Sequence, residues 1–301
     1  MILVNILIAL LPALGWGILP IATSLIGGKP VNQLLGTTYG AFIIALGLYA
    51  FMRPELSMSS FFWCFLSGMS WTLGQFTQYI AFEKMGVSRT MPISTGMQLV
   101  GTSLTGIIFF GEWAGLLPKL SGFAAIILIV GGIILTTKRS ENGQQISATE
   151  KAEINKNMTS GLLILFIGTL GYIGYSAFPK VSNADGFKAF LPQTIGMLVM
   201  GTIFGISMLI KNKTNPFKQI TSYKNIITGF LFGFGALFYL ISTRLNGVAT
   251  GFTLSQLCVV ISTVGGIMVL HEHKTKREMI YIAVGLSLVI IGGIMISFIH
   301  A

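Results

Sequence analysis

Apolar residues follow one another in long unbroken runs along this chain, and the charged residues fall between the runs rather than inside them. Runs near the ~20 residues that cross a bilayer as a helix lie at about 2–26, 33–51, 58–82, 90–111, 117–137, 159–179, 189–210, 225–243, 248–270 and 279–299. Strands of a membrane barrel alternate over roughly ten residues instead, so the pattern predicts an all-α integral membrane protein of about ten transmembrane helices. In lipid each backbone group must find its partner within its own helix, which continuous helices satisfy. The first run is read as a retained span rather than a signal peptide. Met1-Ile2-Leu3-Val4 has no basic region, and Pro12, Trp16 and Pro20 interrupt the apolar run.

The one long polar stretch, Lys138 to Asn157, divides the chain into five spans before and five after. The expected units are residues 1–137, a polar loop at 138–158, and residues 159–301. The two outer units resemble each other in order. Leu14-Gly15 answers Leu170-Gly171, and Leu35, Thr38 and Gly40 answer Leu191, Thr194 and Gly196. Further on, Gly86-Val87 answers Gly247-Val248, Gln98-Leu99 answers Gln256-Leu257, Gly106 and Glu112 answer Gly266 and Glu272, and Gly131-Gly132-Ile133 answers Gly292-Gly293-Ile294. A unit with an odd number of spans forces the next to enter the membrane in the opposite sense. Two inverted five-helix repeats are therefore expected, an architecture that places a central site near the midplane and opens it alternately to either side.

Composition narrows the function classes. Of 301 residues 53% are hydrophobic and 9% charged, against roughly 25% charged in soluble domains, and the mean hydropathy is +0.80. A soluble fold is excluded. The net charge of +10 does not indicate nucleic acid, because the basic residues sit in loops rather than on one folded face. Fourteen of the nineteen lysines and arginines flank the 1–2, 3–4, 5–6, 7–8 and 9–10 loops; the other five are Arg53, Lys119, Lys180, Lys188 and Arg244. By the positive-inside bias the richer side is cytoplasmic and both termini are extracytoplasmic. Cys64 and Cys258 fall inside predicted helices, so no disulfide framework is visible. His271-Glu272-His273 is too close-set for a closed zinc site, and no P-loop is present. No cofactor, metal or ATP-driven step is expected.

The candidate chemistry is polar but uncharged: Trp16, Trp71, Gln75, Gln78, Gln98, Tyr172, Tyr175, Gln193, Tyr239 and Gln256. A sugar needs donors and acceptors together, which glutamine supplies in one side chain, and an apolar ring for its C–H face, which Trp and Tyr supply. Substrate contacts are expected from Trp16, Trp71, Gln75, Gln98, Gln193, Tyr239 and Gln256, with Gln98 and Gln256 meeting near the pseudo-axis. Carboxylates are nearly absent from the spans. Glu112 and Glu272, at span ends, are the candidates for proton coupling, with helix capping or loop pairing as the alternative role. Glycines at i,i+4, such as Gly36/Gly40 and Gly201/Gly205, suit close helix packing, and Pro12, Pro20, Pro92, Pro179 and Pro192 suit kinks or gating.

Four stretches carry a family resemblance: Gly-Gly-Lys-Pro-Val-Asn-Gln (27–33), Val-Ser-Arg-Thr-Met-Pro-Ile-Ser-Thr-Gly-Met-Gln-Leu-Val-Gly (87–101), Phe-Gly-Glu-Trp (110–113) and Val-Ala-Thr-Gly-Phe-Thr-Leu-Ser-Gln-Leu (248–257). The chain resembles the bacterial glucose/ribose porter family, the sugar-uptake branch of the drug/metabolite transporter superfamily. The resemblance implies ten helices, inverted repeats and uptake of glucose or ribose by proton symport through the cell membrane. His271-Glu272-His273 stands where a Gly-Glu-Lys-like sequence is expected, so the acid is kept in altered surroundings. Residues 91–96 lean towards the glucose members and 235–242 towards the ribose members. Competing readings are facilitated sugar diffusion, an exporter of small metabolites or drugs on the same scaffold, and a membrane-embedded enzyme, for which no catalytic set can be assembled within the spans.

Overall fold

A computed structural model describes residues 2–111, 115–138, 148–182, 184, 186–246 and 254–299. The helices are α1 (Ile2–Ile26), α2 (Pro30–Met52), α3 (Met58–Met85), α4 (Val87–Phe110), α5 (Leu116–Thr137), α6 (Ala148–Val181), α7 (Gly186–Asn212), the short α8 (Ile220–Lys224), α9 (Ile226–Asn246), α10 (Cys258–Met268) and α11 (Lys276–Ile299). Among the described residues there is no strand, and the all-α membrane fold is as expected. Among the described residues, eight stretches are long and apolar enough to cross a membrane: α1, α2, α4, α5, α6, α7, Ile220–Ser242 and α11. Of the two remaining long runs, α10 is an 11-residue helix, and the start of its expected span, 248–253, lies outside the described residues. The other, α3, is long enough at 28 residues but too polar.

That polarity points inward. Ser60, Ser67, Thr72, Gln75, Thr77 and Gln78 of α3 are buried, and α3 packs most heavily against α6 and α7. Helix α5 is turned the other way. Along α5, Leu117, Leu120, Phe123, Ile127 and Ile134 are exposed, whereas Gly122, Ala125, Ile129, Gly132 and Thr136 are buried. Large apolar side chains suit lipid, and small residues let helix backbones approach.

Packing partners exchange between the halves. Helix α1 lies on α9 as α6 lies on α3, α2 on α9 as α7 on α3, and α1 on α10 as α6 on α4; α2 meets α7, α4 meets α10 and α5 meets α11. The closest approaches follow the same scheme. A Cβ on Gly15 would sit 2.7 Å from the Leu231 carbonyl oxygen, and one on Gly171 would sit 2.5 Å from that of Ser70. Both positions therefore need glycine.

The connections gather at two ends. At one end Asn225 Nδ2 donates to the Gly27 carbonyl at 3.1 Å, Val87 N donates to Glu272, and Lys138 Nζ lies 5.6 Å over the Tyr281 ring. This brings the 1–2, 3–4, 7–8 and 9–10 connections and the end of α5 to one face. At the opposite end Lys180 Nζ lies 5.2 Å over the Phe110 ring.

Candidate functional site

The interior of α3 presents Gln75 and Gln78, 5% and 6% exposed, to α6 and α4. Gln75 Nε2 donates to Gln78 Oε1 at 3.1 Å. The Tyr172 hydroxyl, from α6, stands 3.0 Å from Gln75 Oε1 and 3.2 Å from Gln78 Oε1. Gln78 Nε2 donates to Ser94 Oγ at 2.8 Å, and Gln98 Nε2 donates to the same oxygen at 3.1 Å. One residue further along α3, fully buried Tyr79 meets Thr37 Oγ1 at 2.7 Å, and Thr37 Oγ1 meets Thr228 Oγ1 at 2.6 Å. Polar groups from α2, α3, α4, α6 and α9 thus line one buried seam, and none of these side chains is ionisable near neutral pH. Unpaired polar groups at this depth cost about 1–3 kcal/mol each, so the network holds its own members in register.

Beside the amides lies an aromatic wall. Trp71, one turn before Gln75 and 3% exposed, has its ring 4.6 Å from that of Phe232. Trp16 donates its Nε1 hydrogen to the Phe232 carbonyl at 3.2 Å and its ring lies 5.6 Å from Tyr239. Of the residues anticipated from sequence, Trp16, Trp71, Gln75 and Tyr239 therefore belong to this interior, and Gln98 joins it through Ser94. Gln193 sits on α7, its Nε2 donating to Ser67 Oγ at 2.9 Å, two turns from Gln75 along α3. Gln256 lies at a turn before α10, where Leu257 N bonds Leu254 O at 3.3 Å and Val259 N bonds Gln256 O at 3.1 Å in the tighter i→i−3 pattern. Its Nε2 reaches Ser255 Oγ at 3.3 Å. No hydrogen bond joins Gln98 to Gln256 among the described residues.

Glu112 lies outside the described residues. Glu272 takes a capping position: Oε1 accepts from Val87 N at 2.6 Å and Ser88 N at 3.3 Å, and Oε2 accepts from Ser88 N at 3.2 Å and from the Ser88 hydroxyl. The carboxylate thus meets unsatisfied amides at the positive end of α4. Gly86, at φ +80°, leaves the space, since a Cβ there would come within 2.6 Å of Glu272 Oε2. Lys274 Nζ stands 3.5 Å from the same oxygen. Burial, and then the charge of Arg89, lowers the Lys274 pKa, while Glu272 pulls it back up. Beside this, Arg89 and Glu278 form a buried pair at 2.7 Å. Glu278 also closes a reciprocal cap with Thr275, through bonds of 3.0 and 3.2 Å.

Sequence reasoning missed Ser94, Thr37, Tyr79, Thr228 and the Arg89–Glu278 pair. Ser94 and Arg89 stand inside the 87–101 motif, which was the available signal; Thr37 and Thr228 offered none, being ordinary threonines in apolar runs. Two shallow clefts, one by Ala45, Met52 and Phe187 and one by Thr102, Ser176 and Lys180, are not lined by the amide cluster.

A multi-pass membrane protein with a buried, neutral, amide- and aromatic-lined interior has the makings of a carrier for an uncharged polar solute. The comparisons agree: residues 7–299 match the family model described as "Sugar transport protein", and the chain belongs to that family. It is 49% identical over 98% of its length, and 99% of the relative's, to the "Putative ribose uptake protein RbsU" of Latilactobacillus sakei. It is 42% identical over 97% of its length, and 98% of the relative's, to the "Glucose uptake protein GlcU" of Bacillus subtilis. A solved crystal structure shares the fold at TM-score 0.62 and 15% identity, covering 99% of both chains. The chain is a transporter of the sugar class rather than an enzyme.

Proposed function

We propose that this protein takes up glucose or ribose across the plasma membrane by alternating access between the five-helix halves 1–137 and 159–301. The observation that carries this reading is the buried set of Gln75, Gln78 and Ser94, with half-buried Gln98, beside Trp71. It offers donors and acceptors without a fixed charge, next to an apolar ring. Trp16 and Tyr239 extend the ring wall, and Gln193 and Gln256 offer further amides along the path. The exchange of packing partners between the halves supports inverted repeats. The gathering of base-rich connections at one end supports a cytoplasmic assignment for that face, with both termini outside.

Proton symport is the coupling proposed, through Glu112 or Glu272. Facilitated diffusion is the second reading, and one observation favours it: the Glu272 carboxylate is engaged by the amides of α4 and by Lys274. The test is radiolabelled uptake in proteoliposomes, comparing glucose with ribose, with and without an inward proton gradient. Gradient-driven accumulation supports symport; equilibration without accumulation removes it. Absence of saturable uptake of either sugar removes the uptake reading itself.

A further inference from the structure

Among the described residues, Tyr172 is the hydroxyl that addresses both α3 amides. Its phenol carries a single hydrogen that faces the oxygens of Gln75 and Gln78, 3.0 and 3.2 Å away; the Gln78 oxygen also accepts from Gln75 Nε2 at 3.1 Å, and each carbonyl oxygen has two lone pairs, so both keep accepting capacity. A pair of neighbouring hydroxyls on a sugar ring would bring a hydrogen for each.

Packing does not require this hydroxyl. Trp16, 156 residues earlier in the chain, holds the matching place in the other half. A Cβ on Gly235 would meet the Trp16 ring at 2.5 Å, and one on Gly74 would meet the Tyr172 ring at 2.8 Å. Trp16 fills its place while donating only to a backbone carbonyl. An aromatic ring seated on a glycine therefore suffices to join the helices, and the Tyr172 hydroxyl is surplus to that task.

We infer that the Tyr172 hydroxyl is an internal stand-in for a sugar hydroxyl, occupying the Gln75–Gln78 ledge in the empty carrier and displaced when a monosaccharide binds. The substrate class is a polyol ring with adjacent hydroxyls, read by the two amide oxygens while Trp71 covers its C–H face. The occupant lowers the apparent affinity, because only the fraction of carriers with the ledge free is competent to bind. It also keeps the buried amides satisfied between cycles. The inference rests on the sugar-uptake reading above.

The experiment is initial-rate uptake of labelled glucose and ribose by purified Tyr172→Phe carrier in proteoliposomes, alongside wild type and Gln78→Ala, each checked for monodispersity by gel filtration. Tyr172→Phe is expected to lower KM by roughly three- to tenfold, the worth of one neutral hydrogen bond, whereas Gln78→Ala raises it. A folded Tyr172→Phe with unchanged or raised KM overturns the stand-in role and leaves the uptake reading intact. Should Tyr172→Phe fail to fold, Tyr172→Leu is read by the same criterion; failure of both to fold assigns Tyr172 to structure and overturns the inference. If wild type transports neither sugar, the uptake reading fails and this inference falls with it.

Discussion

Helices α3 and α9 do the same packing work with different chemistry. Advancing 161 residues turns Ser67, Gly68, Trp71 and Gly74 into Thr228, Gly229, Phe232 and Gly235. A Cβ on Gly68 would strike the Gln193 carbonyl oxygen, and one on Gly229 would strike that of Thr37. Ser67 bonds Gln193 at 2.9 Å, and Thr228 bonds Thr37 at 2.6 Å. Trp71 and Phe232 face each other at 4.6 Å. The likeness then stops: Gln75 and Gln78 of α3 stand where α9 has Ala236 and Tyr239. Since α9 packs with Ala236 and Tyr239 at these two positions, the shared packing does not by itself call for amides there. In the proposed uptake function the α3 amides serve the solute, and they help make α3 too polar for the hydropathy pattern that α9 satisfies.

The sharpest break in this comparison would come at the shared positions. Gly68→Ala and Gly229→Ala each drive a methyl into a backbone carbonyl, and overpacking of this kind costs about 1–3 kcal/mol or more. Both variants are expected to lose most of their folded carrier, measured as monodisperse yield; tolerance at one and not the other would end the packing equivalence. At the unshared positions the effect is on transport: Gln78→Ala should raise KM by roughly tenfold, the cost of stranding buried partners, while Tyr239→Phe, which keeps the ring, should leave KM within about twofold. Gln98→Ala, which removes one of two amides on Ser94, should raise KM by roughly two- to fivefold. The smallest change belongs to Glu272→Gln. A neutral amide keeps one acceptor oxygen for α4 but loses the other, the Lys274 ion pair and the charge–dipole part of about 0.3–1 kcal/mol, so melting temperature should drop with KM unchanged. Loss of gradient-driven accumulation in that variant would instead assign Glu272 to coupling.

Much of this architecture is legible in the sequence because lipid imposes one rule on every span. Hydropathy alone locates most of the helices, and the correspondence of Gly15 with Gly171 points to two matching backbone approaches. The α3 run is also found, but its inward-facing polarity is invisible to an average over residues. Trp71 and Gln75 were identifiable by residue type. Their union with Tyr172 and Ser94 was not, because it depends on how α6 and α4 rotate against α3. Glu272 shows the same limit: its match to Glu112 gives it interest, yet only the fold reveals four hydrogen bonds from the start of α4.

The central claim is that the α3 amides, and not the equivalent positions on α9, read the sugar. Saturable uptake of glucose and ribose in proteoliposomes should be compared between Gln75→Ala/Gln78→Ala and Ala236→Ser/Tyr239→Phe, each at matched amounts of monodisperse protein. The account predicts that the α3 pair abolishes saturable uptake at concentrations where the α9 pair stays near wild type. Equal retention of uptake by both pairs, or a greater loss in the α9 pair, would contradict it.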